Sequence, residues 1–213
     1  MALVFPKVYP ILDASVIPKV DREKYLIRLG TSLVGEGVTL LEYRNKVGSE
    51  SEIISDSAVL RRAMPSQYVK LILDDRADLV GKIGFNGVHV DEGDLSPSQA
   101  RSLLGPSRIV GTFGGSHDLV PGILGVPADY LAIGPVFETR TKRTEEVPIG
   151  VEGVRRLREQ AGSGVVLSAA AGITLANARA VLDAGATMVA VSEAIFKAAD
   201  PAREFARWVR ELS

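Results

Sequence analysis

The sequence contains no cysteine, few aromatic residues and no long apolar run. Without cysteine the chain has no disulfide bonds, thiolate nucleophiles or zinc–thiolate sites, which fits a reducing compartment. None of its apolar runs reaches the roughly 20 residues that a membrane-spanning helix needs. Residues 1–9 lack a basic leader and are interrupted by Pro6, so they do not resemble a signal peptide. We therefore expect a cytoplasmic protein with no membrane partner.

An excess of charge of either sign is also absent. Twenty-five basic residues stand against 26 acidic ones, which leaves a formal net charge of -1. Such a surface does not attract nucleic acid as a whole, so any site for an anion has to be local. The nucleophile elbow, the P-loop and the dinucleotide-binding fingerprint are missing too, which disfavours hydrolases, NTPases and dehydrogenases.

What the chain does contain is a high apolar fraction, 46%, arranged in short runs that alternate with helical patterns. Continuous apolar runs bounded by Gly and polar residues are typical of strands buried on both faces of a parallel sheet. Repeated alternation of such strands with helices predicts an α/β fold, the (β/α)8 TIM barrel, formed by a single domain of residues 1–213. The predicted strands are residues 4–12, 38–43, 71–73, 87–90, 109–112, 130–133, 165–167 and 188–191.

Two of the predicted strands end in groups of acids. Asp74 and Asp75 follow strand 71–73, and residues 91–94, which include Asp94, follow strand 87–90. The carboxyl ends of the strands share one mouth in a parallel barrel, so these carboxylates should lie together. A magnesium ion held by one or two carboxylates and by substrate phosphates would offset their mutual repulsion. The alternative is that most of these acids are ordinary loop residues or helix caps.

The second predicted strand brings cations to the same mouth. Its residues Leu40, Glu42 and Arg44 share one face, and Lys46 follows on that face if the chain stays extended. Arg44 offers a planar fork for phosphate oxygens and Lys46 a point charge, so together they suit a diphosphate. A competing interpretation pairs Arg44 with Glu42, two residues away on the same face.

The remaining strand ends supply residues of other kinds. Strands seven and eight are followed by Gly172 and Ser192, and small residues at these two positions commonly bind phosphate in barrel mouths. The long polar loop 138–146 is interpreted as a lid or as a solvated surface loop. We expect His89 to be a hydrogen-bonded core residue, whereas His117, in a Gly-rich loop, could act as an acid or base.

Four motifs along the chain carry a family resemblance. Residues 40–46, Leu-Leu-Glu-Tyr-Arg-Asn-Lys, are similar to a Gln-x-Arg-x-Lys strand end, and residues 73–76, Leu-Asp-Asp-Arg, to an Asn-Asp-Arg. Residues 87–95 fit the pattern Gly-Val-His, four residues, Asp-Leu, and residues 134–142 contain Gly-Pro-Val-Phe followed by Thr-Arg-Thr-Lys. By these motifs the chain resembles the thiamine-phosphate synthases and their relatives, the thiazole tautomerases, over nearly its full length.

The resemblance implies a TIM-barrel transferase that joins hydroxymethylpyrimidine diphosphate to hydroxyethylthiazole phosphate with Mg²⁺, giving thiamine phosphate and diphosphate. It implies that diphosphate leaves first and that the thiazole nitrogen captures a pyrimidine-stabilised cation, so no protein nucleophile is required. Relatives are often dimers, so the resemblance also raises a homodimer. It assigns Asp75 and Asp94 to the metal; Arg44, Lys46 and Lys142 to catalysis at the diphosphate; and Glu42, Asp74, Phe113, Thr139, Thr141, Gly172 and Ser192 to substrate binding.

Several positions depart from the family pattern. Glu42 stands where the family has Gln, and unless it is protonated or paired it would repel a diphosphate. Gly115 stands where tautomerases use a His. The other departures are Asp74 for Asn, Phe113 for Ser, Ala171 in a turn that is usually glycine-rich, and Glu193 beside the expected phosphate. Two alternatives to the synthase therefore remain: a thiazole tautomerase that uses His117, and a non-catalytic relative that binds a thiamine precursor or another phosphate ester.

Overall fold

The structure is a computed structural model that describes residues 4–139 and 146–213. Within these ranges eight parallel strands close into a barrel in chain order, and β8 pairs with β1. The predicted TIM barrel is therefore confirmed. The strands are β1 Val8–Asp13, β2 Leu40–Arg44, β3 Lys70–Asp74, β4 Gly87–Val90, β5 Ile109–Gly115, β6 Tyr130–Ile133, β7 Leu167–Ala169 and β8 Met188–Val191.

Eight α-helices of the described chain cover the outside of the barrel. The crossover between β5 and β6 contains the 3-10 turn Ile123–Gly125 where an α-helix would normally stand, and a second 3-10 turn, Ala14–Val16, follows β1. No helix in the described ranges combines the length and the apolar character needed to cross a membrane. The helices are α1 Arg22–Gly35, α2 Glu50–Ala63, α3 Ala77–Ile83, α4 Pro97–Leu104, α5 Gly150–Ala161, α6 Leu175–Asp183, α7 Glu193–Phe196 and α8 Pro201–Leu212.

Strand boundaries agree with the sequence prediction at β4, β6 and β8 and differ most at β1 and β7. β1 begins at Val8 rather than at residue 4. β7 begins at Leu167, where the prediction ended it, because its pairing with β6 aligns Leu131 with Leu167 and Ile133 with Ala169. Pairing with neighbours, rather than the local run of β-branched residues, decides where this strand lies.

Two apolar layers hold the barrel together. The outer layer lies between the strands and the helices, where Phe205, Trp208 and Leu212 of α8 are buried, whereas Val209 of the same helix is 39% exposed. The inner layer fills the barrel itself with Tyr9, Leu40, Ile72, Ile109, Tyr130, Met188 and Ala190. Because side chains alternate along a strand, the next inward-facing residues toward the carboxyl ends lie above this layer, at the mouth.

Candidate active site

A cavity of about 880 Å³ opens at the carboxyl ends of the strands, and every strand contributes to its wall. The alternation predicted for β2 holds, since Glu42, Arg44 and Lys46 all line this cavity. Thr141 and Lys142 lie outside the described residues. The residues predicted from the sequence that line the cavity are Glu42, Arg44, Lys46, Asp74, Phe113, Thr139, Gly172 and Ser192.

Arg44 pairs with Asp13 rather than with Glu42. Its Nη1 donates a hydrogen bond to Asp13 Oδ2, and its Nε lies 3.5 Å from Asp74 Oδ2. Asp13 is the residue of β1 that stands opposite Arg44 in the strand register. Glu42 lies one inward position deeper, so the competing interpretation that paired Arg44 with Glu42 is wrong.

Lys46 lies among the acids that follow β3. Its Nζ donates to both carboxylate oxygens of Asp75 at 2.5 Å and lies 3.1 Å from Asp74 Oδ2. Burial would lower the pKa of Lys46, but the charges of Asp74 and Asp75 raise it. Burial, together with the neighbouring Asp75, raises the pKa of Asp74. One ammonium group therefore compensates more than one carboxylate.

The structure brings Asp75 and Asp94 together. Burial, together with the interaction with Asp75, raises the pKa of Asp94. Asp94 Oδ2 also accepts a hydrogen bond of 2.9 Å from the backbone N–H of Asp91. Asp75 has a φ of 69°, in the left-handed region that a non-glycine residue enters at a cost of about 1–2 kcal/mol. Strain of this kind is concentrated at functional sites.

These two acids fit a magnesium ion by the chemistry of their donor atoms. Mg²⁺ is usually held by one or two carboxylates, with water and substrate phosphates completing its shell. The described residues contain no group of three or more His, Asp or Glu arranged for a metal ion. Asp75 and Asp94 therefore suit an ion that arrives with a phosphorylated substrate rather than a permanent protein-enclosed metal.

A hydrogen-bonded chain of side chains crosses the floor of the cavity. Tyr9 Oη donates to Glu42 Oε2 at 2.7 Å and lies 3.0 Å from Tyr130 Oη. Tyr130 Oη lies 3.0 Å from Nδ1 of His89, whose Nε2 lies 3.4 Å from Asp91 Oδ1. His89 is thus a buried, hydrogen-bonded residue, as predicted. We call Glu42, Tyr9, Tyr130 and His89 the floor chain.

Burial and neighbouring charges set the protonation of the floor chain. Burial raises the pKa of Glu42 to about 7, with His89 opposing this shift and Asp74 and Asp91 adding to it. Burial would lower the pKa of His89, but its hydrogen bond to Asp91 and the charge of Glu42 raise it to about 9. Near neutral pH, Glu42 is therefore partly protonated beside a charged His89, which reduces the repulsion expected from a carboxylate at this position.

The side of the mouth formed by β7 and β8 is built from small residues. Ser192 Oγ is buried and has no hydrogen-bond partner in the described part of the chain. Ala171 and Gly172 both adopt positive φ, 75° and 66°, and a Cβ atom at Gly172 would lie 2.5 Å from Glu138 O. Glu193 begins the short helix α7 and pairs with Lys197 at 2.8 Å, which compensates its charge.

Neither position considered for a tautomerase histidine is suitable. His117 is exposed and does not line the described cavity. Gly115 has a φ of 145°, and a Cβ atom there would lie 2.1 Å from Asp118 O, so the backbone leaves no space for a His side chain. The geometry gives the tautomerase alternative no support.

Sequence reasoning missed three residues of this mouth, Tyr9, Asp13 and Tyr130. All three line the cavity. Tyr9 and Asp13 share the inward face of β1, four residues apart, so the period-two rule that found Glu42 and Arg44 could have found them as well. Tyr130 meets Tyr9 across 121 positions of sequence, a contact that only the closed barrel creates.

Comparisons with known proteins agree with this geometry. A family model described as thiamine monophosphate synthase matches residues 8–195. The chain is 42% identical over 189 residues to the thiamine-phosphate synthase of Koribacter versatilis, covering 89% of this chain and 88% of that protein. It is 38% identical over 167 residues to the thiamine-phosphate synthase of Agrobacterium fabrum, covering 77% of this chain and 76% of that one.

Among solved structures, the fold is similar to that of thiamine phosphate pyrophosphorylase from Pyrococcus furiosus. The TM-score is 0.76, with 25% sequence identity, and the match covers 97% of this chain and 96% of that one. The similarity therefore extends over the whole barrel, including every strand that lines the mouth.

Proposed function

The chain belongs to the thiamine monophosphate synthase family, and from this premise we propose that it joins hydroxymethylpyrimidine diphosphate to hydroxyethylthiazole phosphate. The products are thiamine phosphate and diphosphate, so the protein is a transferase acting on small phosphorylated substrates. The observation that carries the proposal is the contact of Asp75 with Asp94, next to Lys46, which pairs with Asp75 and lines the cavity together with Arg44. That arrangement suits a substrate that brings both a metal ion and two phosphoryl groups.

Asp75 and Asp94 are the residues that would hold Mg²⁺. Burial and the neighbouring Asp75 raise the pKa of Asp94, and a divalent cation shared by the two carboxylates would offset both effects. When bound, the ion would offset part of the negative charge of the diphosphate. This assignment is supported by the donor set and by the family motifs that contain both residues.

Arg44 and Lys46 would bind the diphosphate. Both line the cavity, Arg44 with a guanidinium that Asp13 orients and Lys46 with an ammonium on a flexible stem. The family motif adds Lys142 as a third cation, with Thr139 and Thr141 lining the loop that precedes it. Positive charge fixed beside the bond that breaks stabilises the leaving diphosphate more than the bound substrate.

The floor and the β7–β8 side would receive the organic parts of the substrates. Glu42, Asp74 and Phe113 line the cavity where the pyrimidine would lie, and Glu42 can accept or donate a hydrogen bond according to its protonation. Gly172 and Ser192 would contact the thiazole phosphate. Ser192 Oγ supports this assignment because a buried hydroxyl without a partner is rare unless a ligand or water completes it.

The reaction then needs positioning and charge rather than a protein nucleophile. The bond between the pyrimidine methylene carbon and the diphosphate oxygen breaks, and diphosphate departs with the electron pair. The thiazole nitrogen donates its lone pair to the methylene carbon and forms the new C–N bond. The floor holds the pyrimidine and the β7–β8 side holds the thiazole phosphate, so that the nitrogen faces the carbon as diphosphate leaves.

A direct assay tests the proposal. Purified protein with both substrates and Mg²⁺ should form thiamine phosphate, and Asp75→Ala should reduce the rate at least about a hundredfold, as expected for loss of a group that stabilises transition-state charge. Asp78→Ala is the matched control, because Asp78 is an exposed acid that pairs with Arg76 away from the cavity.

Two outcomes would count against the proposal. Absence of product at saturating substrates would remove the synthase, and calorimetric binding of either precursor in that case would identify a non-catalytic relative. An Asp75→Ala variant that is as active as the wild-type protein would remove the metal assignment while leaving the overall reaction in place.

A further inference from the structure

The ammonium group of Lys46 contacts the carboxylate of Asp75, which is one of the two groups that would hold a metal ion. Its Nζ contacts both oxygens of Asp75 at 2.5 Å, so neither oxygen is left without a cation. Mg²⁺ binds carboxylate oxygens at about 2.0–2.1 Å and demands regular geometry. An ammonium group and a magnesium ion on the same face of the Asp75 carboxylate would repel each other, so metal binding there favours departure of the ammonium group.

Arg44, the neighbouring cation, does not contact Asp75 in the described ion pairs. Arg44 donates to Asp13, and its Nε lies 3.5 Å from Asp74, so its ion pairs in the described structure are with those two acids. Lys46 alone bridges Asp74 and Asp75 among the described ion pairs. The charge that neutralises the expected metal site thus comes from a single side chain.

Lys46 is also the cation that can move. Lys46 lies on the loop that follows β2, and its side chain is 31% exposed. Its ammonium group is carried by a flexible four-carbon stem. Asp75, in contrast, is fixed by its left-handed backbone and by a hydrogen bond of 2.8 Å from its N–H to His89 O. Exchange of cations at Asp75 therefore requires only a rotation of the Lys46 side chain.

We propose that Lys46 is a resident cation which Mg²⁺ displaces from Asp75, and that the released ammonium group binds the diphosphate. The metal and the diphosphate then bind cooperatively, since the metal frees Lys46 for the diphosphate and the diphosphate draws Lys46 away from the metal site. By linkage, each ligand strengthens the other by the same factor. This inference rests on the proposed function in taking a diphosphate as the anion.

The proposal predicts opposite effects of removing Lys46 on two binding constants. Metal alone should bind more tightly to Lys46→Met than to the wild-type protein, on the order of tenfold, because no ammonium group has to be displaced. The strengthening of metal binding by inorganic diphosphate should be largely lost in the same variant. A side chain that only binds diphosphate would give the second effect without the first.

Equilibrium dialysis with Mn²⁺, with and without inorganic diphosphate, measures both effects. Free metal and its complex with diphosphate equilibrate across the membrane, so the excess on the protein side is the bound ion. Asp75→Asn should abolish the binding, which identifies the site. Circular dichroism checks the fold of each variant, and Lys46→Gln provides a second substitution that removes the same charge.

Arg44→Met separates displacement from a general field effect. It removes an equal charge from the same mouth but leaves Lys46 on Asp75. Displacement predicts a gain in metal affinity several-fold larger for Lys46→Met than for Arg44→Met. Equal gains, or no gain in the Lys46 variants, would overturn the proposal.

The dialysis experiment requires no turnover, so its result is independent of the synthase assay. If the wild-type protein makes thiamine phosphate but Lys46→Met binds metal no more tightly, the exchange is wrong and the function stands. If the exchange is observed in a protein that makes no thiamine phosphate, the function is wrong and the exchange remains a property of the site.

Discussion

The two sides of the barrel mouth are built from different material. The charged side, formed after β2, β3 and β4, consists of Arg44, Lys46, Asp74, Asp75 and Asp94, whose side chains are engaged with one another or with Asp13. The small side, formed after β7 and β8, consists of Ala171, Gly172 and Ser192. Ala171 and Gly172, both at positive φ, give the small side its shape. Its polar group is the buried Ser192 hydroxyl, which has no hydrogen-bond partner among the described residues.

This difference determines how each side can receive a ligand. On the charged side Asp74 Oδ2 makes no hydrogen bond within residues 4–139 and 146–213, but it lies within ion-pair distance of Lys46 and Arg44, and Arg44, Lys46 and Asp75 are also held in ion pairs. A metal or diphosphate that binds there must therefore exchange partners with the protein. On the small side the backbone leaves space and Ser192 has an unused hydrogen-bonding group, so a ligand adds contacts without displacing any. Substitutions should therefore change which ions bind on the charged side and whether anything fits on the small side.

Gly172→Ala should give the largest effect and tests whether backbone shape governs the small side. Its φ of 66° is unfavourable for alanine, and the new Cβ would lie 2.5 Å from Glu138 O and 2.6 Å from Phe137 Cβ. We expect the free energy of unfolding to fall by about 2–4 kcal/mol. The KM for the thiazole phosphate should rise about tenfold or more, while the KM for the pyrimidine diphosphate changes little. Urea denaturation and steady-state kinetics measure the two effects.

Gly164→Ala is the matched control for this substitution. Gly164 has no positive φ, and a Cβ atom there would meet no other heavy atom within 4 Å. It should leave both KM values unchanged. If Gly172→Ala were equally harmless, the small side would not depend on its backbone, and the contrast with the charged side would fail.

The sequence predicts the charged side better than the small side or the floor. Acids and cations after apolar runs are visible in the sequence, and the strand period alone places Glu42, Arg44 and Lys46 on one face. The partner of Arg44 was nevertheless missed, since Asp13 lies 31 positions away in sequence and becomes a neighbour only through the β1–β2 register. The Tyr9–Tyr130 contact depends on barrel closure in the same way.

Positive φ at Ala171 is harder still to predict. Alanine has no special preference for this conformation, and the sequence marks only the neighbouring Gly172 as permissive. What fixes the turn is tertiary: the carbonyl groups of Ala170 and Ala171 accept backbone hydrogen bonds from Val136 and Phe137. The small side is therefore determined by contacts between distant segments, which a motif does not encode.

Glu42→Gln should give an intermediate effect and tests the floor between the two sides. The folded protein raises the pKa of Glu42 from 4.5 to about 7, so between these values it holds a proton that the unfolded chain releases. This contribution to the free energy of unfolding is full at low pH and is lost as the pH rises through about 7. Gln does not titrate, so the variant should be more stable than the wild-type protein at pH 8, by about 1–2 kcal/mol after allowance for the lost pairing with His89.

The same substitution should alter the pH dependence of catalysis. A carboxylate on the floor opposes the diphosphate, so kcat/KM for the pyrimidine diphosphate should fall as the pH of the wild-type assay rises through about 7. Glu42→Gln should lack that fall. Glu36→Gln, which changes an exposed acid after α1, serves as the control and should keep the wild-type profile. Identical profiles for all three proteins would show that Glu42 does not titrate in this range.

Ala171→Gly should give the smallest effect, and its sign tests the small side most directly. Glycine removes the steric strain that a methyl group causes at a φ of 75°, which raises the free energy of unfolding by about 1–2 kcal/mol. It also gives the unfolded chain more conformational freedom, which lowers the free energy of unfolding by about 0.4–1 kcal/mol. The net expectation is a stabilisation of about 0.5 kcal/mol in urea denaturation.

Ala170→Gly makes the same chemical change one residue earlier, where φ is not positive, so no strain is relieved. The unfolded chain gains freedom and the contact of the Ala170 methyl group with the inner layer is lost, so the variant should be less stable than the wild-type protein. A stabilisation at Ala171 would indicate relief of backbone strain, because removal of a methyl group otherwise destabilises. Equal destabilisation at both positions would mean that Ala171 carries no strain, and that the small side owes its shape to its side chains, as the charged side does.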